Sequence, residues 1–296
     1  PMKFVNFSSK DSSSHVGIIN PDGNVVDLSG IEGVTDLNSL VKGGPECWQE
    51  CDDRMTSGEV ETELEKVKLL APFTTLARNI FCVGKNYVDH AAEFQGSGFD
   101  DANKSGQDIP EHPIFFTKAD STIIGPGQSI PASEDPLAST DYEGELTVVI
   151  GKSGYKLDHS QALEHVFGYT IINDVTSRGL QKKHNQWFLG KNLDGFCPMG
   201  PTVVTADEIN DVSSLELITS VNGEERQRAR LSQLIFDIPE LLVTLSSVMT
   251  LHPGDLIATG TPAGVGVGFS PPKFLKKGDQ VEITIEPIGT LSNPVT

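Results

Sequence analysis

Two glutamates one residue apart open an apolar run in Asp141-Tyr142-Glu143-Gly144-Glu145-Leu146-Thr147-Val148-Val149-Ile150. Read as a strand, the run sends side chains to alternate faces, so Glu143 and Glu145 share one face with Asp141 in line. The apolar residues that follow sink into a core. Carboxylates side by side at the mouth of a buried strand repel each other and lose hydration. A hard divalent cation held by oxygen atoms relieves both costs. An exposed strand end with ordinary surface acids is the plainer alternative. Asp174 closes a second apolar run, Tyr169-Thr170-Ile171-Ile172-Asn173, and joins as a third ligand candidate because an acid there also needs a partner.

Lys191 stands alone in the neutral segment Phe188-Leu189-Gly190-Lys191-Asn192. It is a candidate to hold a substrate carboxylate or enolate, with a structural ion pair to one of the acids as the alternative. Gln181 and Lys118 are weaker candidates of the same kind. In Asn86-Tyr87-Val88-Asp89-His90-Ala91-Ala92-Glu93, a helix would set His90 and Glu93 on one face. A carboxylate orients an imidazole and raises its basicity, which is how a general base is built. A surface His–Glu pair is the alternative. Thr259 to Gly268 carries glycine at 260, 264, 266 and 268, which lets backbone N–H groups approach an oxyanion closely. No Gly-Lys-Ser/Thr follows and no helix opens after it, so it is not a phosphate loop.

The elements that must position these residues are mostly short strands. Ile114–Phe116, Leu146–Ile150, Phe167–Ile172 and Val281–Ile285 are apolar or alternating runs between Gly, Pro and Asp, and Phe81-Cys82-Val83-Gly84 is a buried strand running into a turn. Helices are expected over Ser160–Val166 and over Ile238–Met249, the latter with Asp237 as cap and Pro239 in its first turn. Gly195 to Pro201 reads as a turn, with no base partner for Cys197 as a nucleophile. Ahead of these, residues 2–70 form a block of their own. Pro21-Asp22-Gly23-Asn24 joins His15–Ile19 to Val25–Leu28 as a hairpin, and Glu46 to about Lys66 reads as a polar helix. Residues 95–112 are polar, bear glycine and lack a period, the character of a loop beside a site or of plain surface.

Forty-one acids against 22 bases give a net charge of −19. Such a surface is repelled by phosphate backbones and anionic membranes, which argues against a nucleic-acid or membrane partner. An anionic small substrate stays possible where a metal or local bases reverse the sign. No apolar run approaches the roughly 18 residues of a membrane helix. Four cysteines in 296 residues make no disulfide scaffold, and Cys47 and Cys51 lack a second pair to complete a zinc site. They read as reduced thiols, and with no targeting segment visible the expected compartment is the cytoplasm or the mitochondrion.

In this order, Gly84-Lys85-Asn86-Tyr87 with His90 and Glu93, Tyr142-Glu143-Gly144-Glu145-Leu146, Asn173-Asp174-Val175-Thr176-Ser177-Arg178, Gln186–Lys191, Phe196–Pro201 and Gly260–Gly266 resemble the fumarylacetoacetate hydrolase superfamily, in its domain-containing, oxaloacetate tautomerase-like branch. The resemblance implies an α+β, β-rich fold: a mixed β-sandwich roll over residues 72–296, a small N-terminal β-rich domain over 2–70, and a homodimer. It implies Mg²⁺ or Mn²⁺, with Ca²⁺ in some members, held by Glu143, Glu145 and Asp174. Lys191 and Gln181 would contact the substrate, Thr261 its carboxylate, and His90 with Glu93 would form a lid dyad; Lys85, Tyr87 and Lys118 complete the substrate-binding set. Lys85 stands where many relatives have Arg, which makes a two-pronged clamp a point charge. The expected substrate is a small anionic 2-oxo acid reacting through an enolate stabilised by the cation. Tautomerisation of oxaloacetate is the leading outcome. Decarboxylation, C–C hydrolysis of an acylpyruvate or fumarylpyruvate, and an inactive binding domain are the alternatives.

Overall fold

The computed structural model describes residues 1–8, 13–57, 61–99 and 109–296. Its centre is the strand Gly144–Ile150, buried along its whole length. It pairs antiparallel with Val166–Asn173 on one side and with Leu256–Ala258 on the other. Beyond Val166–Asn173 the sheet continues through Cys197–Thr205 and Lys3–Ser8; beyond Leu256–Ala258 it continues through Ile80–Gly84 and Ile114–Lys118. Strands alternate between two apolar faces, as the period of two requires. Leu146, Val148 and Ile150 point to a core shared with Leu217, Ile283, Ile285 and Leu291 of the four-stranded sheet Glu224–Arg230, Glu216–Val221, Gln280–Ile285, Gly289–Pro294. The helix Ile238–Ser246 adds Ile238, Leu242 and Leu245 to that core, and the Asp237 carboxylate caps it by accepting from Glu240 N at 2.9 Å. Val149 points to the opposite core. Two packed sheets with few helices make the expected α+β, β-rich sandwich.

Residues 2–70 bring their own hairpin, Ser14–Ile19 against Asn24–Asp27. Their first strand joins the large sheet, with Lys3 opposite Val204 and Phe4 opposite Val203. The second core runs across residue 71: Phe4, Ile18, Val26, Leu37 and Leu40 share it with Val149, Phe167 and Ile172. The helix that contributes Leu37 and Leu40 spans Leu37–Ser57 and bends at Gly44, whose φ of 72° precedes Pro45. The expected helical stretch from Glu46 is therefore its second leg. That leg ends at Ser57; beyond the undescribed residues 58–60 the chain forms a strand Glu61–Glu63 and a short turn of helix to Lys66.

Two other expectations change. Gly195–Pro201 is largely strand, because Cys197–Thr205 pairs with Val166–Asn173 through a register shift that accommodates Gly200 and Pro201. The acidic strand starts at Gly144, while Thr140–Asp141 is a separate two-residue strand paired with Thr176–Ser177. The loop expected over 95–112 falls partly on residues 100–108, outside those described.

Phe4 is fully buried and stacks on Phe167 at 5.8 Å between ring centroids. Phe4→Ala is expected to cost about 3 kcal/mol, read as a lower urea midpoint of one cooperative transition. An unmoved midpoint would mean that residues 2–70 pack independently of the large sheet.

Candidate metal centre and pocket

The ends of the two central strands fix the acids. Gly144 pairs with Asn173, Glu143 N donates to Asn173 Oδ1 at 2.9 Å, and Asp174 N donates to Glu143 O at 2.8 Å. Glu145, opposite Ile172, turns to the same side. Carboxylate oxygens of Glu143, Glu145 and Asp174 thus come within 4.8 Å of one another, all buried. Asp141, expected in line with them, lies outside that group and faces Arg178 instead, because the strand breaks at Tyr142 and Glu143.

Buried cations already answer part of this charge. Lys191 Nζ donates to Glu143 Oε2 at 2.8 Å and to Asp174 Oδ2 at 2.7 Å. Arg178 pairs with Glu143 Oε1 at 2.7 Å and with Asp141 Oδ2 at 2.9 Å. Lys118 pairs with Asp174 Oδ1 at 2.9 Å and also donates to the carbonyls of Val175 and Lys191. Burial alone would raise the Glu143 carboxyl, but the Lys191 ammonium and the Arg178 guanidinium pull it well below the ordinary carboxylate range. Glu145 is the contrast. Among the described residues it accepts from Gly260 N at 3.0 Å, and burial, then Asp174 and Glu143, push it well above that range. With all groups ionised, the four acids face three cations and one negative charge is left over. Oxygen donors converging in a dry site, one of them uncompensated, fit a hard divalent ion.

A small pocket open to solvent lies above the acids. Glu143, Lys85, His90, Arg178, Gln181, Lys191 and Thr261 supply its polar wall; Phe94, Phe116 and Trp187 are its aromatic lining. Each cation rests against a ring: Lys191 Nζ is 4.9 Å from the Phe116 centroid, and Lys85 Nζ and the Arg178 guanidinium are 5.6 and 5.4 Å from that of Phe94. Lys85 has φ of 53°, a left-handed conformation uncommon for a side-chain-bearing residue and concentrated at functional sites. Gly84 leaves room for Trp187, whose ring a Cβ there would strike.

His90 and Glu93 lie on the helix Val88–Gly96 as expected, with Nδ1 3.5 Å from Glu93 Oε2. Glu93 also accepts from Gly264 N at 3.1 Å. The oxyanions that the glycine-rich segment approaches are therefore the chain's own carboxylates: Glu145 at Gly260, Glu93 at Gly264, and Asp141 at Gly266 and Val267. Thr261 Oγ1 accepts from Gln227 Nε2 at 2.7 Å, which leaves its own proton free to donate into the pocket.

Two expected substrate residues do not line this pocket. Lys118 is fully buried behind Asp174, and Tyr87 lines a separate depression with Val88, Arg228 and Pro262. The Tyr87 hydroxyl is buried without a hydrogen-bond partner among the described residues, and burial raises its pKa, with Glu145 adding to the effect. Arg178 closes the Asn173–Arg178 motif, and its type and spacing assign it no role in the sequence. Its place became visible only with its burial, since Ser177 caps the short helix Arg178–Lys183 and turns the guanidinium inward. The Cys197 thiol is buried and pushed up to about 12 by desolvation, in keeping with no nucleophilic role.

Opposite pKa directions predict opposite stability changes. A carboxyl with a raised folded pKa costs stability progressively as the pH rises from its unfolded pKa towards the folded one, so Glu145→Gln is expected to raise Tm in EDTA at pH 8. It should also abolish the Tm increase on adding Mn²⁺. A depressed carboxyl stabilises above its unfolded pKa, so Glu143→Gln is expected to cost about 3 kcal/mol at the same pH by stranding Lys191 and Arg178. Equal shifts for the two variants would refute this division of charge.

A family profile described as fumarylacetoacetate (FAA) hydrolase C-terminal matches residues 79–296. The oxaloacetate tautomerase YisK of Bacillus subtilis is 52% identical over 238 residues, spanning 80% of this chain and 76% of that protein. The crystal structure of a fumarylacetoacetate hydrolase from psychrophilic Exiguobacterium antarcticum superposes with a TM-score of 0.85 at 41% identity, covering 100% of this chain and 99% of that one. Maleylpyruvate hydrolase from Sphingobium sp. SYK-6, solved with manganese(II) and pyruvate, superposes at 0.80 with 28% identity, over 100% and 99% of the two chains. Profile, sequence and fold agree with the acid group and the pocket: this chain belongs to the fumarylacetoacetate hydrolase family.

Proposed function

We propose that this chain is a divalent-metal-dependent oxaloacetate keto–enol tautomerase. The observation that carries the reading is the acid group with its charge balance. Among the four acids and the three cations paired with them one negative charge is left over, so a divalent cation turns the site positive and draws in an anion despite the chain's −19. Glu143, Glu145 and Asp174 would hold Mg²⁺ or Mn²⁺, with Ca²⁺ also suited to oxygen donors, and the bound ion supplies Lewis-acid stabilisation of charge developing on a 2-oxo acid. The tautomerase activity of the Bacillus relative and the manganese and pyruvate of the Sphingobium enzyme support this assignment.

The chain's own groups do the rest. Lys191 Nζ and the Arg178 fork stabilise negative charge on the substrate oxygens as the C3 proton leaves. Thr261 donates its hydroxyl proton to the substrate carboxylate, with its oxygen held by Gln227. Gln181 Oε1 accepts from Arg178 NH1 at 3.2 Å, which leaves the amide N–H groups for the substrate. Lys85 holds the distal carboxylate. His90, steered through Nδ1 by Glu93, uses Nε2 to move the proton between carbon and oxygen. Lys118 belongs to this reading as the support of Asp174 from outside the pocket lining, whereas Tyr87 stays a substrate-binding candidate without a hydrogen bond to the acids. Residues 2–70 share a sheet and a core with the rest but supply none of the pocket lining among the described residues, which supports assigning the chemistry to 72–296. A homodimer, which the resemblance implies, completes the proposal and is read by light scattering. No helix among the described residues is long and apolar enough to cross a membrane.

The test follows enol absorbance and pyruvate together on oxaloacetate, using metal-stripped protein with and without Mn²⁺ or Mg²⁺. Metal-dependent loss of the enol signal without pyruvate is the expected result. Pyruvate released in step would make the enzyme a decarboxylase, and silence on oxaloacetate with turnover of an acylpyruvate would make it a C–C hydrolase. His90→Ala is expected to lower turnover by roughly 100-fold while Mn²⁺ affinity stays within about threefold. Unchanged turnover would remove His90 from the mechanism.

A further inference from the structure

We propose that Asp141, which takes no part in the acid group, is the positioning residue of the pocket. It binds the Arg178 fork and the glycine-rich loop into one unit, and through that loop it holds Glu93 and His90. The inference rests on the reading of Arg178 and the His90–Glu93 pair as groups that act on substrate. Asp141 is fully buried, and its carboxylate accepts from four donors. Oδ1 takes Gly266 N at 2.6 Å and Tyr142 N at 2.9 Å; Oδ2 takes Val267 N at 2.9 Å and Arg178 Nε at 2.9 Å.

The consequence for Arg178 is geometric. Each of its three guanidinium nitrogens has a different partner: Nε on Asp141, NH1 on Gln181 at 3.2 Å, NH2 on Glu143 at 2.7 Å. A planar fork with three separate anchors has one direction. Asp141 supplies the only one of the three that is neither a metal-ligand candidate nor a substrate contact, so it can hold the fork still while the other two respond to ligands.

The consequence for the loop follows from its alternation. Gly264 and Gly266 give their N–H groups to Glu93 and Asp141, while Val265 and Val267 turn the other way into an apolar cluster with Phe94, Phe99 and Phe274. A Cβ on Gly266 would strike the Lys273 carbonyl and come within 2.7 Å of Asp141 Oδ1, and one on Gly268 would strike the Glu93 carboxylate. The two glycines lie where the carboxylates, and at Gly266 the neighbouring backbone too, press on the chain. Asp141 therefore reaches His90 in three linked contacts, through Gly266, then Gly264 and Glu93.

Asp141→Asn keeps the shape but turns one oxygen into an N–H₂ that faces two donors. The expected result is a kcat on oxaloacetate at least tenfold lower with KM changed less than threefold. The charges that attract an anion remain, and only their alignment is lost. Hydrogen exchange should quicken at 264–267 and also across the helix Val88–Gly96. Asp279→Asn is the control. Asp279 is another buried acid that holds a turn, through Lys276 N and Asn222 Nδ2 at 2.9 Å each, and its variant should keep kcat within twofold with that helix unchanged. Gly266→Ala disturbs the same latch from the loop side and should reproduce the signature if Asp141→Asn does not fold. Wild-type kcat in these variants, or faster exchange confined to 264–267, would overturn the proposal. If the wild-type protein is silent on oxaloacetate, the substrate reading fails. The exchange pattern then decides the positioning role by itself: spread to the helix supports it, and confinement to the loop sinks it.

Discussion

The structure depends on placing four carboxylates where water does not reach. Asp141, Glu143, Glu145 and Asp174 are all buried at the ends of two paired strands, and isolated charges in such a place would neutralise or unfold the sheet around them. Three buried cations answer them, from three different elements: Lys118 from an edge strand, Arg178 from a capped short helix and Lys191 from another. Each long cationic side chain has an element that holds its stem and an acid that fixes its head. The fold around the site is arranged by these pairings as much as by its two apolar cores.

That arrangement also explains where chemistry is possible. Glu143 is held charged by two cations, whereas Glu145 is burdened by its neighbours, so the same group of acids contains a stable anchor and a site of unrelieved repulsion. A divalent ion relieves the second without displacing the reason for the first. Aromatic rings carry the pocket-facing cations, which keeps the heads of Lys85, Arg178 and Lys191 directed into the same small pocket. Three cationic heads around one pocket suit a small multiply charged acid better than a large apolar substrate.

The glycine-rich segment links the parts. It reads in sequence as a cradle for a foreign oxyanion, yet its amides are spent on Glu145, Glu93 and Asp141. Backbone amides held by internal carboxylates are rigid connectors, and this loop connects the helix of His90 to the strand of Glu145. The low side-chain volume of its glycines is what lets carboxylates from two elements meet one stretch of backbone.

Much of this was legible in the residues themselves. Alternation after Glu145 and the apolar run before Asp174 locate both strands and three acids, because a period of two with an acid at its end is a local signal. The spacing of His90 and Glu93 does the same for the dyad, and Asp237 with Pro239 marks a helix start. Local signals failed where long-range pairing decides conformation: Cys197–Thr205 carries Pro and Gly yet is held as a strand by its neighbours, and the helix from Leu37 hides behind Gly44 and Pro45. The sequence by itself determined which groups are costly to bury and on which strand faces they fall, since those follow from side-chain chemistry and backbone period. Which cation answers which acid, that Asp141 turns to Arg178 and the loop, and that Lys118 lies behind the acids were settled by tertiary packing, because those partners come together across separations of 17 to 126 residues that no local pattern encodes.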